Sequence, residues 1–416
     1  MKSFVAVFLL SSAVAAQIQA GATAPPKESR DVHRAAPSSV DAGDYIYISA
    51  LGPRGTDGAL PKTFVVQARQ ALNNLKSVVE SAGLTMDHVV YTTVYLTDMS
   101  QYAEMNRAFG EAFGKIPPAR AVLGVAALPD PPIEINAVAV RNLSDKRAVY
   151  PPNYKSDESF SPGILTHDRL FVSAMPAAVP GVGAASDDPA TQVDFALDRM
   201  KAVVEAAGLT LGHMVFVNPY LTAKLPMRVM NQHYARRFEF GNTPARATIE
   251  VSSLPNGAEI EYTGVAVRDL KERRAVRPKN MPPSPTASPC VFAGDTLYCS
   301  AKSGFIPGPN EGVYSSTTAL QLRQTMRNQM DNLEEADMNF DQVVSTVVYL
   351  DNLADMPAFE EVYGKYFKGK LPAQTTVQQI VPADRSPDKD EHYPDLEQVS
   401  LIAVRNGVRH EITPPQ

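Results

Sequence analysis

The same succession of signals occurs three times along this 416-residue chain, so it must fold as three related units. A polar turn and strand read AGDYIYISA at 42–50, THDRLFVSA at 166–174 and AGDTLYCSA at 293–301. A second strand reads VVYTTVYL at 89–96, MVFVNPYL at 214–221 and VVSTVVYL at 343–350. The third block is PPARAVLGVAALP at 117–129, TPARATIEVSSLP at 243–255 and LPAQTTVQQIVP at 371–382. Measured at the second block, the copies are spaced by about 125 and then about 129 residues. With their flanks they occupy 30–143, 150–270 and 281–410, joined by polar, Pro-containing linkers at 145–158 and 271–287.

Periodicity inside each copy switches between helix and strand. Ala68, Ala71, Leu72, Leu75 and Val79 recur at helical spacing and stop at Gly83, a C-cap; Ala196, Met200, Val203 and Gly208 repeat the pattern. A shorter amphipathic helix carries Tyr102, Met105, Phe109 and Phe113, the last two matched by Tyr234 and Phe238, then by Tyr363 and Phe367. Each unit reads β-β-α-β-α-β with a final strand: IEINAVAV at 133–140, IEYTGVAV at 260–267 and EQVSLIAV at 397–404. This order predicts an α+β class, a sheet with its helices on one face. The third copy also carries a charged insertion at 383–396, read as a surface loop or a lid.

The N-terminus has Lys2, an apolar stretch at 4–10 and small residues at 11–16, the layout of a secretory signal over 1–20 with cleavage after Ala16 or Ala20. The apolar run is short for a membrane span. The expected location is secreted or periplasmic, with no membrane association after signal removal. Loss of Lys2 takes the formal charge from -6 to -7, which disfavours nucleic acid as a partner. With 20% charged and 44% hydrophobic residues, the composition excludes a disordered chain.

Cys290 and Cys299 lie in CVFAGDTLYC, two strands around a Gly294-Asp295 turn. A two-residue loop there pairs Ala293 with Thr296, Phe292 with Leu297, Val291 with Tyr298 and Cys290 with Cys299. The cysteines then form either a cross-strand disulfide, a local staple contributing at most about 3 kcal/mol, or two small buried thiols. His88 and His213 share a repeat position with Gln342 and have no second ligand at metal spacing, so they are read as exposed histidines. No Gly-rich phosphate loop, CxxC pair or nucleophile elbow is present, and no cofactor is expected.

The run QARQALNNLKSVVESAGLTMDHVVYTTVYLTDM at 67–99, the PPAR at 117–120 and the IEINAVAV ending resemble the RidA (YjgF) family of imine-hydrolysing proteins, along nearly the whole of each copy. The resemblance implies a chorismate-mutase-like fold for each unit and, since family members are homotrimers with ligand clefts between subunits, an intrachain pseudo-trimer acting as a monomer. It implies that the Arg of the PAR motif holds a substrate carboxylate, for which a planar guanidinium fork is suited: Arg120 and Arg246, with Gln374 in the third copy. A Glu on the last strand, placing water or supplying a proton, corresponds to Glu134 and Glu261, with Gln398 beside Glu397 in the third copy. Gln cannot exchange a proton as a carboxyl does. Ser49, Ser173 and Ser300 match a ligand-side Ser. Asn106 and Asn231 match a helix Asn, replaced by Glu360. An aromatic wall survives only as Phe160, against Ala36 and Ala287. The family's Cys two residues after the Arg is Val122, Thr248 and Thr376, so no thiol takes part.

The resulting expectation is an exported enamine/imine deaminase converting 2-imino acids to 2-keto acids and ammonia. It has two candidate sites, one for each copy that keeps Arg and Glu, and a third, structural copy. The rival is a non-catalytic binding module for small carboxylates; endoribonuclease activity gains nothing from the charge or from a paired acid and base. Without the family context, an Arg and a Glu on neighbouring strands read as a cross-strand ion pair.

Overall fold

The fold is that of a computed structural model, which describes residues 36–412 except 153, 155–158, 177, 180–182, 280, 307–311, 369 and 407–409. The signal segment 1–20 lies outside the described residues. Among the described residues there are three large sheets, each backed by a long and a short helix, and a two-stranded hairpin of Ala178–Val179 and Gly183–Ala184. In the first, Tyr45–Leu51, Ile133–Val140 and Val89–Leu96 are antiparallel neighbours, and Ala119–Gly124 joins the last of them in parallel. The second repeats this order with Arg169–Pro176, Ile260–Val267, Met214–Leu221 and the short pair Ala245–Arg246 and Ile249–Glu250. Thr296–Ser303, Glu397–Val404, Val343–Leu350 and Ala373–Gln378 form the third.

The long helices Phe64–Ser81, Pro189–Ala206 and Thr318–Glu335 cover one face of each sheet because their apolar residues recur on one side. Ala68, Leu72, Leu75 and Val79 are buried, as are Val193, Leu197, Met200 and Val204. Gly83 and Gly208 follow the first two helices at φ +75° and +79°, the left-handed turn that glycine adopts without a Cβ clash. In the third unit Asp337 takes that place at φ 55°. Its helix also buries Gln321, Thr325, Gln329 and Asn332, giving one helix-sheet interface a polar seam.

The linkers are not merely linkers. Arg147–Val149, after the first unit, adds antiparallel to Gly163–Leu165 at the edge of the second sheet. Arg273–Val276, after the second, adds to Cys290–Ala293 at the edge of the third. His410–Ile412, after the third, adds to Ser39–Asp41 of the first, so every outer edge is covered by the preceding unit's tail.

The inner faces of the three sheets share one core: Val40, Tyr47 and Val90 from the first, Ile164, Phe171 and Val215 from the second, Val291, Tyr298 and Val344 from the third. At one end of it sits Arg169, 2% exposed. Its guanidinium donates to Asp168 (2.9 Å), the Tyr298 hydroxyl (2.9 Å) and Thr296 Oγ1 (3.1 Å), and lies 4.2 Å from the Tyr45 ring centroid. The Tyr45 hydroxyl donates to Asp168. Tyr45, Arg169 and Thr296 occupy equivalent positions, each paired with the closing valine of its final strand.

Candidate functional site

A serine repeated in each unit marks the junctions. The Arg120 N–H donates to Ser173 Oγ (2.8 Å), the Arg246 N–H to Ser300 Oγ (2.8 Å) and the Gln374 N–H to Ser49 Oγ (2.9 Å). Each hydroxyl in turn donates within its own unit: Ser173 to the Ser161 carbonyl (2.6 Å), Ser300 to Ser288 (2.7 Å), Ser49 to Pro37 (2.6 Å). The single hydroxyl proton is thereby used, so these serines fasten unit to unit, first to second, second to third and third to first, rather than offering a donor to a ligand.

At the first junction, Arg120 is 3% exposed. Its Nη2 donates to Asn106 Oδ1 (2.7 Å), and its Cζ lies 4.6 Å from the Phe109 ring and 5.1 Å from Phe160, contributed by the second unit. Two aromatic faces and an amide fix the plane of the guanidinium. The carboxyl that feels its charge is Glu261 of the second unit, not Glu134 of its own. Burial pushes Glu261 up to about 8, with the positive charge of Arg120 only partly opposing, so it is protonated at neutral pH. Its Oε1 has no hydrogen-bond partner among the described residues.

At the second junction Arg246 donates to Asn231 Oδ1 (2.7 Å) and its Cζ lies 5.2 Å from the Tyr234 ring. The strand position of Glu261, opposite Tyr220, is filled here by Gln398, opposite Tyr349. Glu397 is no substitute: it faces the helix and accepts a hydrogen bond from the Thr325 hydroxyl. At the third junction Gln374 turns to Thr376 Oγ1 (3.0 Å), and Glu134 accepts the Asp130 N–H (2.7 Å). Burial and the Asp130 charge push Glu134 up to about 8 as well, against that hydrogen bond. The sequence left open which repeats meet: Arg120 of the first unit acts on Glu261 of the second, whereas the matching positions bring Arg246 with Gln398 and Gln374 with Glu134.

Glu360 is exposed. His88 and His213, half-buried rather than exposed, accept the N–H groups of Thr85 (3.1 Å) and Thr210 (3.2 Å), and Gln342 does the same for Asn339 (3.1 Å), so this repeat position caps a turn. No metal-holding cluster occurs among the described residues. Cys290 and Cys299 are joined as a disulfide, Cα atoms 4.1 Å apart, in the register read from the turn, within the third unit's core. A cavity of about 100 Å³ lies among the inner faces, lined by neutral groups such as Tyr95, Asn136, Asn218 and Thr263; it holds no charged residue and is not one of the arginine clefts.

This fold and these three repeats place the chain in a known family. The endoribonuclease L-PSP (RidA/YjgF) family model matches residues 33–141, 153–268 and 280–381, and the chain belongs to that family in three tandem copies. It is 42% identical over 108 residues to the 2-iminobutanoate/2-iminopropanoate deaminase of Escherichia coli (strain K12), covering 24% of this chain and 84% of that protein. It is 39% identical over 104 residues to protein DfrA of Myxococcus xanthus, covering 24% and 79%. A crystal structure of a chorismatase superimposes with a TM-score of 0.51 over 76% of this chain and 93% of its own at 13% identity, a likeness of fold alone.

Proposed function

We propose that the chain is an exported enamine/imine deaminase with one working cleft, between its first and second units, within an intrachain pseudo-trimer. The observation that carries this is that Arg120 and Glu261, from neighbouring units, are both buried and that Arg120 is the charge acting on the Glu261 carboxyl. The Escherichia coli relative, by its name, acts on small 2-imino acids. In this chain Arg120 binds the carboxylate of such an acid, and Glu261 gives its proton to the imine nitrogen. Water adds to the C=N carbon and returns a proton to Glu261. The amine then leaves as ammonia while the new hydroxyl loses its proton, giving the 2-keto acid. Such imines hydrolyse unaided, so modest acceleration suffices, and the steps use only residues of the chain.

The pseudo-trimer reading is supported by the cyclic order of the serine bonds and of the tail strands, and gel filtration tests it: a mass near one chain is expected, near three chains excludes it. Export is tested by sequencing the N-terminus of secreted or periplasmic material, expected to start after Ala16 or Ala20. For the activity, an amino-acid oxidase is coupled to semicarbazide trapping of the imine. The wild type should lower the trapped product and Arg120→Ala should not. If the wild type leaves it unchanged across several amino acids, the deaminase reading fails. The carboxylate-binding module then becomes the better account, favoured by two clefts that each lack one partner.

A further inference from the structure

The cavity among the inner faces is bounded by all three units, and one of its walls is incomplete. Tyr91, Thr93 and Tyr95 line it from the first unit, alternate residues of one strand, and the equivalent residues of the other two units line it as well. At the level of Tyr91 the rings stack from unit to unit. Tyr91 lies on Phe171 of the second unit, ring centroids 6.4 Å apart, and its counterpart Phe216 on Tyr298 of the third, 5.7 Å apart. Phe171 and Tyr298 share a repeat position with Tyr47, so the same step from the third unit would set residue 345 on Tyr47. Residue 345 is a serine, and no ring stacks on Tyr47 among the described residues.

One level further along the strands the wall is polar. It is formed by three cross-strand pairs: Thr93 with Asn136, Asn218 with Thr263 and Val347 with Ser400. The Asn136 amide accepts the Thr93 N–H (3.1 Å) and donates to Thr375 Oγ1 (2.9 Å), and Thr263 shares a hydrogen bond with the Tyr91 hydroxyl (3.0 Å). Asn218 Oδ1 is buried and has no hydrogen-bond partner among the described residues. A buried acceptor left in that state is costly, and an N–H that reaches it removes the cost. No charged residue lines the cavity, so an ion entering it would lose its hydration with nothing to offset the loss.

We propose that this cavity is a second binding site for an uncharged, flat, five-membered ring carrying an N–H: the ring stands in for the missing stacking partner of Tyr47, and its N–H donates to Asn218 Oδ1. Size sets the limit. An apolar cavity of about 150 Å³ holds benzene, and this one, at about 100 Å³, suits a smaller ring. Stacking on the aromatic walls holds any ring of that shape, and the orphaned amide oxygen selects the ring that brings a donor. Neither Arg120 nor Arg246 lines the cavity, so the site is independent of the deaminase reading.

The test is calorimetric titration of the full mature chain with pyrrole and with furan, rings of nearly the same shape that differ in an N–H against an ether oxygen. Pyrrole should bind about 5- to 10-fold tighter than furan. Asn218→Leu, which removes the acceptor at similar volume, should bring the two to equal affinity. Ser345→Phe, which restores the ring that the other copies carry, should abolish binding of both while thermal unfolding stays cooperative. If that transition is lost, Ser345→Leu replaces it and should weaken both probes about tenfold. Absence of pyrrole binding, furan bound as tightly, a preference that survives Asn218→Leu, or pyrrole affinity that survives filling at position 345 overturns the proposal. Arg120→Ala should leave pyrrole affinity as it is; a loss there assigns the ring to the arginine cleft and overturns the proposal as well.

Discussion

Where the first unit meets the second, Arg120 and Glu261 are buried together; where the third meets the first, Glu134 is buried as deeply, but Gln374 stands where an arginine would. Both junctions keep the same serine fastening at 2.8–2.9 Å. The backbone of a cleft and its chemistry are thus separable: the N–H to Ser bond needs no particular side chain on the donor residue, so assembly survives while the reactive groups diverge.

The largest test of this contrast is Arg120→Ala. Leaving a buried partner without its charge should lower kcat/KM for imine hydrolysis about 100-fold or more, and Arg246→Ala should cost at least about tenfold less. Equal losses would mean that the clefts are equivalent. Next, Glu261→Gln should lower the rate about 100-fold, again at least about tenfold more than Glu134→Gln. The wild-type rate should fall as pH rises through about 8, where Glu261 loses its proton, and that limb should vanish in Glu261→Gln. Phe160→Ala, which removes one face from the Arg120 guanidinium, should raise KM about 3- to 30-fold, measured by steady-state kinetics. The last effect concerns stability. Glu134 and Glu261 hold their protons more tightly folded than unfolded, so their contribution is complete below the ordinary value of 4.5 and is lost as pH rises through about 8. Denaturant unfolding across that window should show declining stability, and Glu134→Gln should flatten the slope by up to about 1.4 kcal/mol per pH unit. Asp395 and Glu397, also raised by burial, add to the same slope and should remain in the variant.

Periodicity revealed the three units, their helices and the Cys290 register, because these are local patterns of two or four residues. The resemblance to the RidA family identified the arginines and glutamates individually but not their partners, since Arg120 and Glu261 are brought together by strand edges far apart in sequence. The signal that could have helped was inside the linkers. Arg147–Val149 and Arg273–Val276 are strands too short to show alternation, yet they pair each unit with the next. Arg169 went unnoticed for a related reason: an arginine in an apolar strand reads as a surface residue until the other two copies close over it.

That arginine also limits what the copies can do alone. Its guanidinium is neutralised by one Asp168 and received by a tyrosine from one neighbour and a tyrosine and a threonine from the other. Three second units would bring three guanidiniums to the same spot, and three third units would leave it without any cation. Positions 45, 169 and 296 thus differ so that one charge, neutralised within the second unit, is shared by side chains of all three copies.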